Sequence, residues 1–185
     1  ALKAFESGDT SNLYEVSLLN TQGKVGLYQR KAANLNLLAE LDVIFPVLHG
    51  TFGEDGTIQG LFEILNCAYV GAGVLASAAC MDKAVCKDLL QNAGIPVLPY
   101  RVFSRGQIND YLEEVIARSE SISAYPLFVK PANLGSSVGI SKARDRAELE
   151  AALKKAARFD RRVLVERGIN AREIEISVLG NDTPI

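Results

Sequence analysis

Alternation and apolar runs divide the chain into two blocks. Residues 14–19 and 25–28 flank the polar stretch Asn20-Thr21-Gln22-Gly23-Lys24, which predicts a β-hairpin. Residues 34–41 are read as a short helix. Residues 43–48 form a continuous apolar run, the pattern of a strand buried on both faces. Ile58, Leu61, Phe62 and Leu65 then recur at helical spacing, and residues 68–70 predict a short strand stopped by Gly71. Strand, loop, helix and strand make a βαβ unit. Its loop, His49-Gly50-Thr51-Phe52-Gly53-Glu54-Asp55-Gly56, follows the first strand's carboxyl end. That end is where open α/β sheets bind ligands.

The second block opens near Met81. Asp82 is placed to cap a helix through Val85, Cys86, Leu89, Leu90 and Ala93, stopped by Gly94 and Pro96. A strand is expected over 97–103. Ser104 with Gln107 matches a capping box opening a helix through Ile116. Strands follow at 127–130, 138–142 and 163–166, with a helix between the last two opened by Asp145 and Glu148. Residues 173–179 alternate, which predicts a half-buried strand, with a closing turn at 180–182. This order argues for α+β layering rather than a second doubly wound sheet.

Composition removes several classes of function. With 20 basic and 22 acidic residues the net charge is −2, so no basic field draws nucleic acid. The weakly apolar run 71–81 is too short to span a bilayer, so no membrane association is expected. No basic-then-apolar leader opens the chain, and a cytoplasmic protein is expected. Cys67, Cys80 and Cys86 are odd in number and lack a C-x-x-C spacing, which reads as free thiols. His49 is the sole histidine, so a His/Cys zinc site is not expected.

The candidate chemistry is that of anions and small zwitterions. Gly135-Ser136-Ser137-Val138-Gly139 offers backbone N–H groups and hydroxyls that can wrap phosphate oxygens, although a plain hairpin turn has the same residues. Lys130 ends an apolar strand just before that loop, and a snorkelling lysine would sit there too. Lys83 lies in a first helical turn, where positive charge opposes the macrodipole unless an anion binds. Glu166 ends a strand, and Glu173 and Glu175 share a face that could equally be solvated. His49, Glu54 and Asp55 crowd one loop, where imidazole could meet a carboxylate and an acid an ammonium.

Taken together, these motifs resemble one family. Phe45-Pro46-Val47-Leu48-His49-Gly50-Thr51-Phe52-Gly53-Glu54-Asp55-Gly56 with Gln59-Gly60 is similar to the first signature of D-alanine–D-alanine ligases. Ser77-Ala78-Ala79-Cys80-Met81-Asp82-Lys83 and the run from Phe128-Val129-Lys130-Pro131 to Gly139 match in the same order. Val165-Glu166 and Arg172-Glu173-Ile174-Glu175 continue it. The resemblance implies an incomplete α/β chain: a Rossmann-like N-terminal domain followed by α+β ATP-grasp subdomains. The expected divisions are 1–81, 82–165 and 166–185.

The resemblance also implies function. The family joins two D-alanines through a D-alanyl phosphate, with ATP and Mg²⁺, for peptidoglycan precursors. Lys83, Lys130, Ser136, Ser137, Glu166, Arg167, Ile169 and Glu173 look like the ATP-binding set. His49 and Glu54 look like part of the first D-alanine site, with His49 and Ser136 catalytic. The resemblance implies a Gly-rich, acidic motif at the family's N-terminus, which this sequence does not show. It also implies metal ligands beyond Ile185, so no residue of this chain is expected to hold the metal. A homodimer is implied. D-alanine–D-lactate ligation, another carboxylate–amine ligase or an inactive nucleotide-binding module are the alternatives. Lys130→Ala is expected to weaken ATP binding and leave stability nearly unchanged.

Overall fold

The computed structural model describes residues 7–9, 11, 13, 15–181 and 183–185. The chain forms two compact units, one of residues through Pro96 together with 132–138, the other of residues 97–131 and 139–185.

The first unit opens with an antiparallel sheet of β1 (Val16–Thr21), β2 (Lys24–Lys31) and β3 (Asn34–Leu41). Thr21 pairs with Lys24 across Gln22-Gly23, whose φ values of 54° and 85° suit a two-residue hairpin turn. The predicted hairpin is present; Tyr14, its expected first residue, lies outside the described residues. The helix expected at 34–41 is instead β3. Lys31 pairs with Asn34 across a second tight turn, and the ladder continues to Val25↔Leu41. Leu, Ala and Glu favour helix by only tenths of a kcal/mol each, so a paired ladder overrides them.

The βαβ unit follows: β4 (Val43–Ile44) pairs in parallel with β5 (Ala68–Tyr69), and α1 (Thr57–Ile64) lies between them in sequence. The expected doubly buried strand over 43–48 is not observed. Only two residues pair, and Phe45 and Val47 are about 70% exposed. Pro46 has no N–H to extend the ladder, which ends before it.

Two helices then meet at one residue. Asp82 closes α2 (Val74–Met81), which the small-residue run did not announce, and caps α3 (Lys83–Asn92). Its Oδ1 accepts from Ala84 N at 3.1 Å and Val85 N at 3.0 Å. Gly94 at φ 76° ends the helix, as its sequence position predicts.

In the second unit, β6 (Tyr100–Ser104), β7 (Leu127–Pro131), β8 (Ser141–Ala143) and β9 (Arg162–Arg167) form an antiparallel sheet ordered β6-β9-β7-β8. Helices α4 (Arg105–Asp110), α5 (Leu112–Glu120) and α6 (Arg146–Phe159) complete the α+β layering. Phe103, Ile108, Ile116, Leu127, Leu149, Leu153, Val163 and Val165 are fully buried between them. The capping box is as read, Ser104 Oγ accepting from Gln107 N and Gln107 Oε1 from Ser104 N. One expected helix is two, broken at Tyr111, where φ is −136°. β8 starts at Ser141 rather than at 138, because Val138 N donates to Gly135 O in a turn.

The strand expected at 173–179 is not formed. Ile174, Ile176 and Val178 are 69–87% exposed, because no described strand offers that segment a ladder. Beyond it, Leu179 and Ile185 exchange both backbone hydrogen bonds around the predicted turn, of which Asp182 lies outside the described residues. Among the described residues no helix is long and apolar enough to cross a membrane.

Candidate functional site

In the second unit the site is built by register. Alternation along β7 buries Leu127, Val129 and Pro131 in the core and turns Phe128 and Lys130 to the other face. Tyr100, Glu166, Phe128 and Lys142 then stand opposite one another across all four strands. Lys130, two residues along from Phe128, reaches diagonally to Glu166 and forms an ion pair through Nζ and Oε1. The Glu166 side chain is only 6% exposed and Lys130 25%. Both Lys130 and Lys142 also place their ammonium groups over the Phe128 ring, at 5.7 and 5.9 Å. The face therefore offers two cations, an aromatic surface and a buried acceptor side by side.

Removing Lys130 would leave a buried carboxylate without its ammonium. The pair argues against the expectation that Lys130→Ala spares stability, because one-sided removal of a buried pair is costly. Sequence reasoning also missed Phe128 and Lys142. The expected return strand over 138–142 carried the signal, since pairing it with β7 puts Lys142 opposite Phe128.

Beyond β9 the backbone is pinned. Arg167 N donates to Pro99 O at 3.1 Å, and Gly168 N to Pro126 O at 2.9 Å. A Cβ on Gly168 would meet Pro126 O at 2.6 Å, so only glycine allows this approach. The expected residues Arg167 and Ile169 sit exposed at this bend, and Glu173 is exposed in the segment without a ladder.

In the first unit, three pieces of chain converge. The loop after β4 is folded by its own acids: Glu54 Oε2 accepts from Gly50 N, and Asp55 accepts from Phe52 N at 2.8 Å and Thr57 N at 3.0 Å. Burial pushes the Asp55 carboxyl upward, but these hydrogen bonds outweigh it and hold it below its ordinary value. Residues 132–138 lie beside this loop, a Cβ on Gly135 falling 3.7 Å from Gly50 Cα. Lys83 ties them to α3, its N donating to Ala132 O at 2.9 Å and its Nζ to Leu134 O. Ser136 and Ser137 are exposed with φ 49° and 58°. His49 is exposed at the rim of the loop.

A cavity of about 590 Å³ is lined by Glu54, Gln59, Ser77, Lys83 and Gly135 among small apolar residues. Gln59 is buried and donates to Gly53 O at 2.9 Å, and its Oε1 has no hydrogen-bond partner. Of the expected residues, the structure brings together Lys83 and Glu54 at this cavity, and Lys130 with Glu166 on the sheet. Among the described residues no three His, Cys, Asp or Glu side chains converge to hold a metal ion.

A βαβ unit with a glycine-rich loop, and an antiparallel sheet with a lysine–carboxylate pair, define an incomplete chain of the ATP-grasp class. The particular family follows from direct comparison. The family described as D-ala D-ala ligase N-terminus matches residues 3–72, and that described as D-ala D-ala ligase C-terminus matches 89–185. The chain belongs to the D-alanine–D-alanine ligase family.

Individual relatives agree. The chain is 58% identical over 143 residues to a D-alanine–D-alanine ligase of Listeria welshimeri, covering 77% of this chain and 39% of the relative. It is 61% identical over 142 residues to that of Heliobacterium modesticaldum, with the same coverage. Among solved structures, D-alanyl-alanine synthetase A from Vibrio cholerae superposes with a TM-score of 0.78 at 26% identity, over 93% of this chain and 49% of that one. The VanG D-Ala:D-Ser ligase from Enterococcus faecalis superposes at 0.73 and 33% identity, over 98% and 61%. The chain thus spans about two fifths of the length of the curated relatives it matches.

Proposed function

We propose that this chain is part of an ATP-dependent ligase that joins two D-alanines to D-alanyl-D-alanine for peptidoglycan precursors. The observation that carries the reading is the Lys130–Glu166 pair beside Phe128. A buried acceptor, an aromatic face and an ammonium group suit a nucleotide's amino group, base and phosphate in turn. On this reading residues 1–81 are a substrate domain, 82–165 a central subdomain, and 166–185 the start of a further one.

Phosphoryl transfer needs positioning and charge neutralisation more than covalent help. Lys83 and Lys130 neutralise phosphate oxygens, and Ser136 and Ser137 close over them with backbone N–H and hydroxyl groups. Glu166 accepts from the base, Glu173 from ribose hydroxyls, and Arg167 and Ile169 offer backbone groups beside it. His49 orients the first D-alanine's carboxylate and Glu54 its ammonium. That carboxylate takes the γ-phosphoryl group of ATP, with ADP leaving. The second D-alanine's amine then attacks the acyl phosphate, losing a proton and expelling inorganic phosphate as the amide bond forms. Mg²⁺ belongs to this chemistry and would neutralise the phosphate oxygens, although no cluster of three His, Cys, Asp or Glu side chains stands ready for it among the described residues. The reading includes a cytoplasmic homodimer.

The test is ADP release by the full-length protein with D-alanine, L-alanine, D-serine and D-lactate offered in turn. Release that needs D-alanine and yields the dipeptide supports the reading. Release with L-alanine alone, or none with D-alanine, overturns it. A D-alanine-dependent rate seen only when D-serine or D-lactate is also present would reassign the second substrate.

A further inference from the structure

The second unit holds another cavity, on its helices. About 730 Å³ in volume, it is lined by Arg105, Ile108, Asn109 and Leu112 from α4 and α5, and by Lys154, Ala157 and Arg158 from α6. Its floor is apolar: Ile108 and Ala157 are buried and Leu112 is partly so. Its rim carries three cations in a chain whose net charge is −2. Arg105 N also donates to Arg161 O at 2.8 Å, which ties the start of α4 to the bend that follows α6.

Charge pairing sets this rim apart. Elsewhere around these helices the arginines are matched: Arg146 meets Glu113 and Glu120, Arg144 meets Glu148, and Arg118 meets Glu114. At the cavity, Lys154 is paired with Glu150, but Arg105 and Arg158 meet no carboxylate among the described residues. Lys154 and Arg158 are moreover four residues apart on one helix face, where like charges oppose the fold. Arg105 and Arg158 are both exposed, and Arg158 is held in the last turn of α6, where the macrodipole favours a cation. Two guanidinium groups free of carboxylates among the described residues thus stand over the apolar floor, available to an anion. Guanidinium forks fit phosphate oxygens in particular.

We propose that this cavity binds a small phosphate ester, its phosphate held by Arg105 and Arg158 and its apolar body resting on Ile108, Leu112 and Ala157. Concavity and the apolar floor favour a small molecule over an acidic protein surface. The site is independent of Lys83, Lys130 and the ligation chemistry.

Phenyl phosphate serves as the probe, titrated into the full-length protein by calorimetry and by amide NMR. Saturable binding is expected, with shifts at Asn109 and Leu112. The double variant Arg105→Gln/Arg158→Gln is expected to weaken it by at least about tenfold, since each lost charged hydrogen bond is worth about that factor. Lys130→Met should leave this binding in place, which separates it from any phosphate taken at the nucleotide face. The double variant should melt close to the wild type, because both side chains are exposed and neither holds an ion pair among the described residues. No saturable binding, equal affinity in the double variant, or shifts confined to residues around Lys83 and Lys130 would each overturn the proposal. Inorganic phosphate binding as tightly as phenyl phosphate would overturn the role given to the apolar floor.

Discussion

Lys130 and Glu166 neutralise one another across β7 and β9, although each carries a different part of the nucleotide chemistry proposed for this sheet. The pair makes one residue serve stability and binding together. Lys130→Ala is therefore expected to cost about 2–4 kcal/mol of unfolding free energy, the lower end reflecting the partial exposure of Lys130. Denaturant titration measures it. Lys130→Met with Glu166→Gln removes both charges and should recover most of the loss. A single variant as stable as the wild type would mean that Glu166 is satisfied without its lysine.

Asp82 joins α2 to α3 and orients the turn that carries Lys83. Asp82→Ala removes an acceptor for two backbone N–H groups and is expected to cost about 1 kcal/mol, within the usual range for N-caps. Asp82→Asn should cost less, because its side-chain oxygen can still cap. Thermal melts of the two variants decide the order, and equal losses would point to the charge rather than the cap.

Local signals were the legible ones. The cap at Asp82, the box of Ser104 with Gln107 and the stop at Gly94 each involve residues within a few positions, and each stands as read. Signals that depend on a distant partner were less reliable. Residues 34–41 have helix-favouring composition but take a ladder from β2. Residues 173–179 alternate like a strand but have no described neighbour to pair with. At the site, Lys130 and Glu166 were singled out separately, but no local pattern says that they touch. That contact depends on β9 lying next to β7, a neighbour set by topology.

Gly139 closes the loop that begins at Ala132. Its φ of 74° disfavours any side chain, and a Cβ would lie 2.7 Å from Pro131 Cγ and 2.9 Å from Phe159 Cδ2. Gly139→Ala is expected to destabilise by about 2–4 kcal/mol, from left-handed strain together with overpacking. Urea unfolding reads the loss. A change below about 1 kcal/mol, the scale of an ordinary substitution, would show that β7 and α6 yield easily at this point.

The Asp55 carboxyl gives a pH signature. Its folded value lies below the ordinary 3.8, so the unfolded chain binds the proton more readily. Its contribution to stability is complete above that ordinary value and is lost as pH falls through the lower folded one. Asp55→Ala should lower stability at neutral pH and flatten the acid side of the stability curve. Measured from neutral pH down to the acid limb, wild-type and variant curves should converge on acidification. Curves that stay parallel would mean that the hydrogen bonds from Phe52 and Thr57 do not depend on ionisation.

Lys83 acts at two places at once. Its backbone N–H donates to Ala132 O, which any residue can reproduce, and its ammonium donates to Leu134 O, which methionine cannot. Lys83→Met keeps most of the stem and the backbone tether, and removes the ammonium that donates to Leu134 O. Residues 134–138 should then open more often, with amide exchange faster by about tenfold, the factor for one hydrogen bond to a charged group at the low end of its range. Exchange in α3 should change little, since Asp82 still caps it. If Lys83 also meets phosphate, ATP affinity should fall in the same variant, and bound ATP should no longer slow exchange in the loop. Faster exchange with unaltered ATP affinity would make Lys83 a tether only. Lower affinity with unaltered exchange would make it a phosphate ligand whose contact with Leu134 carries no load.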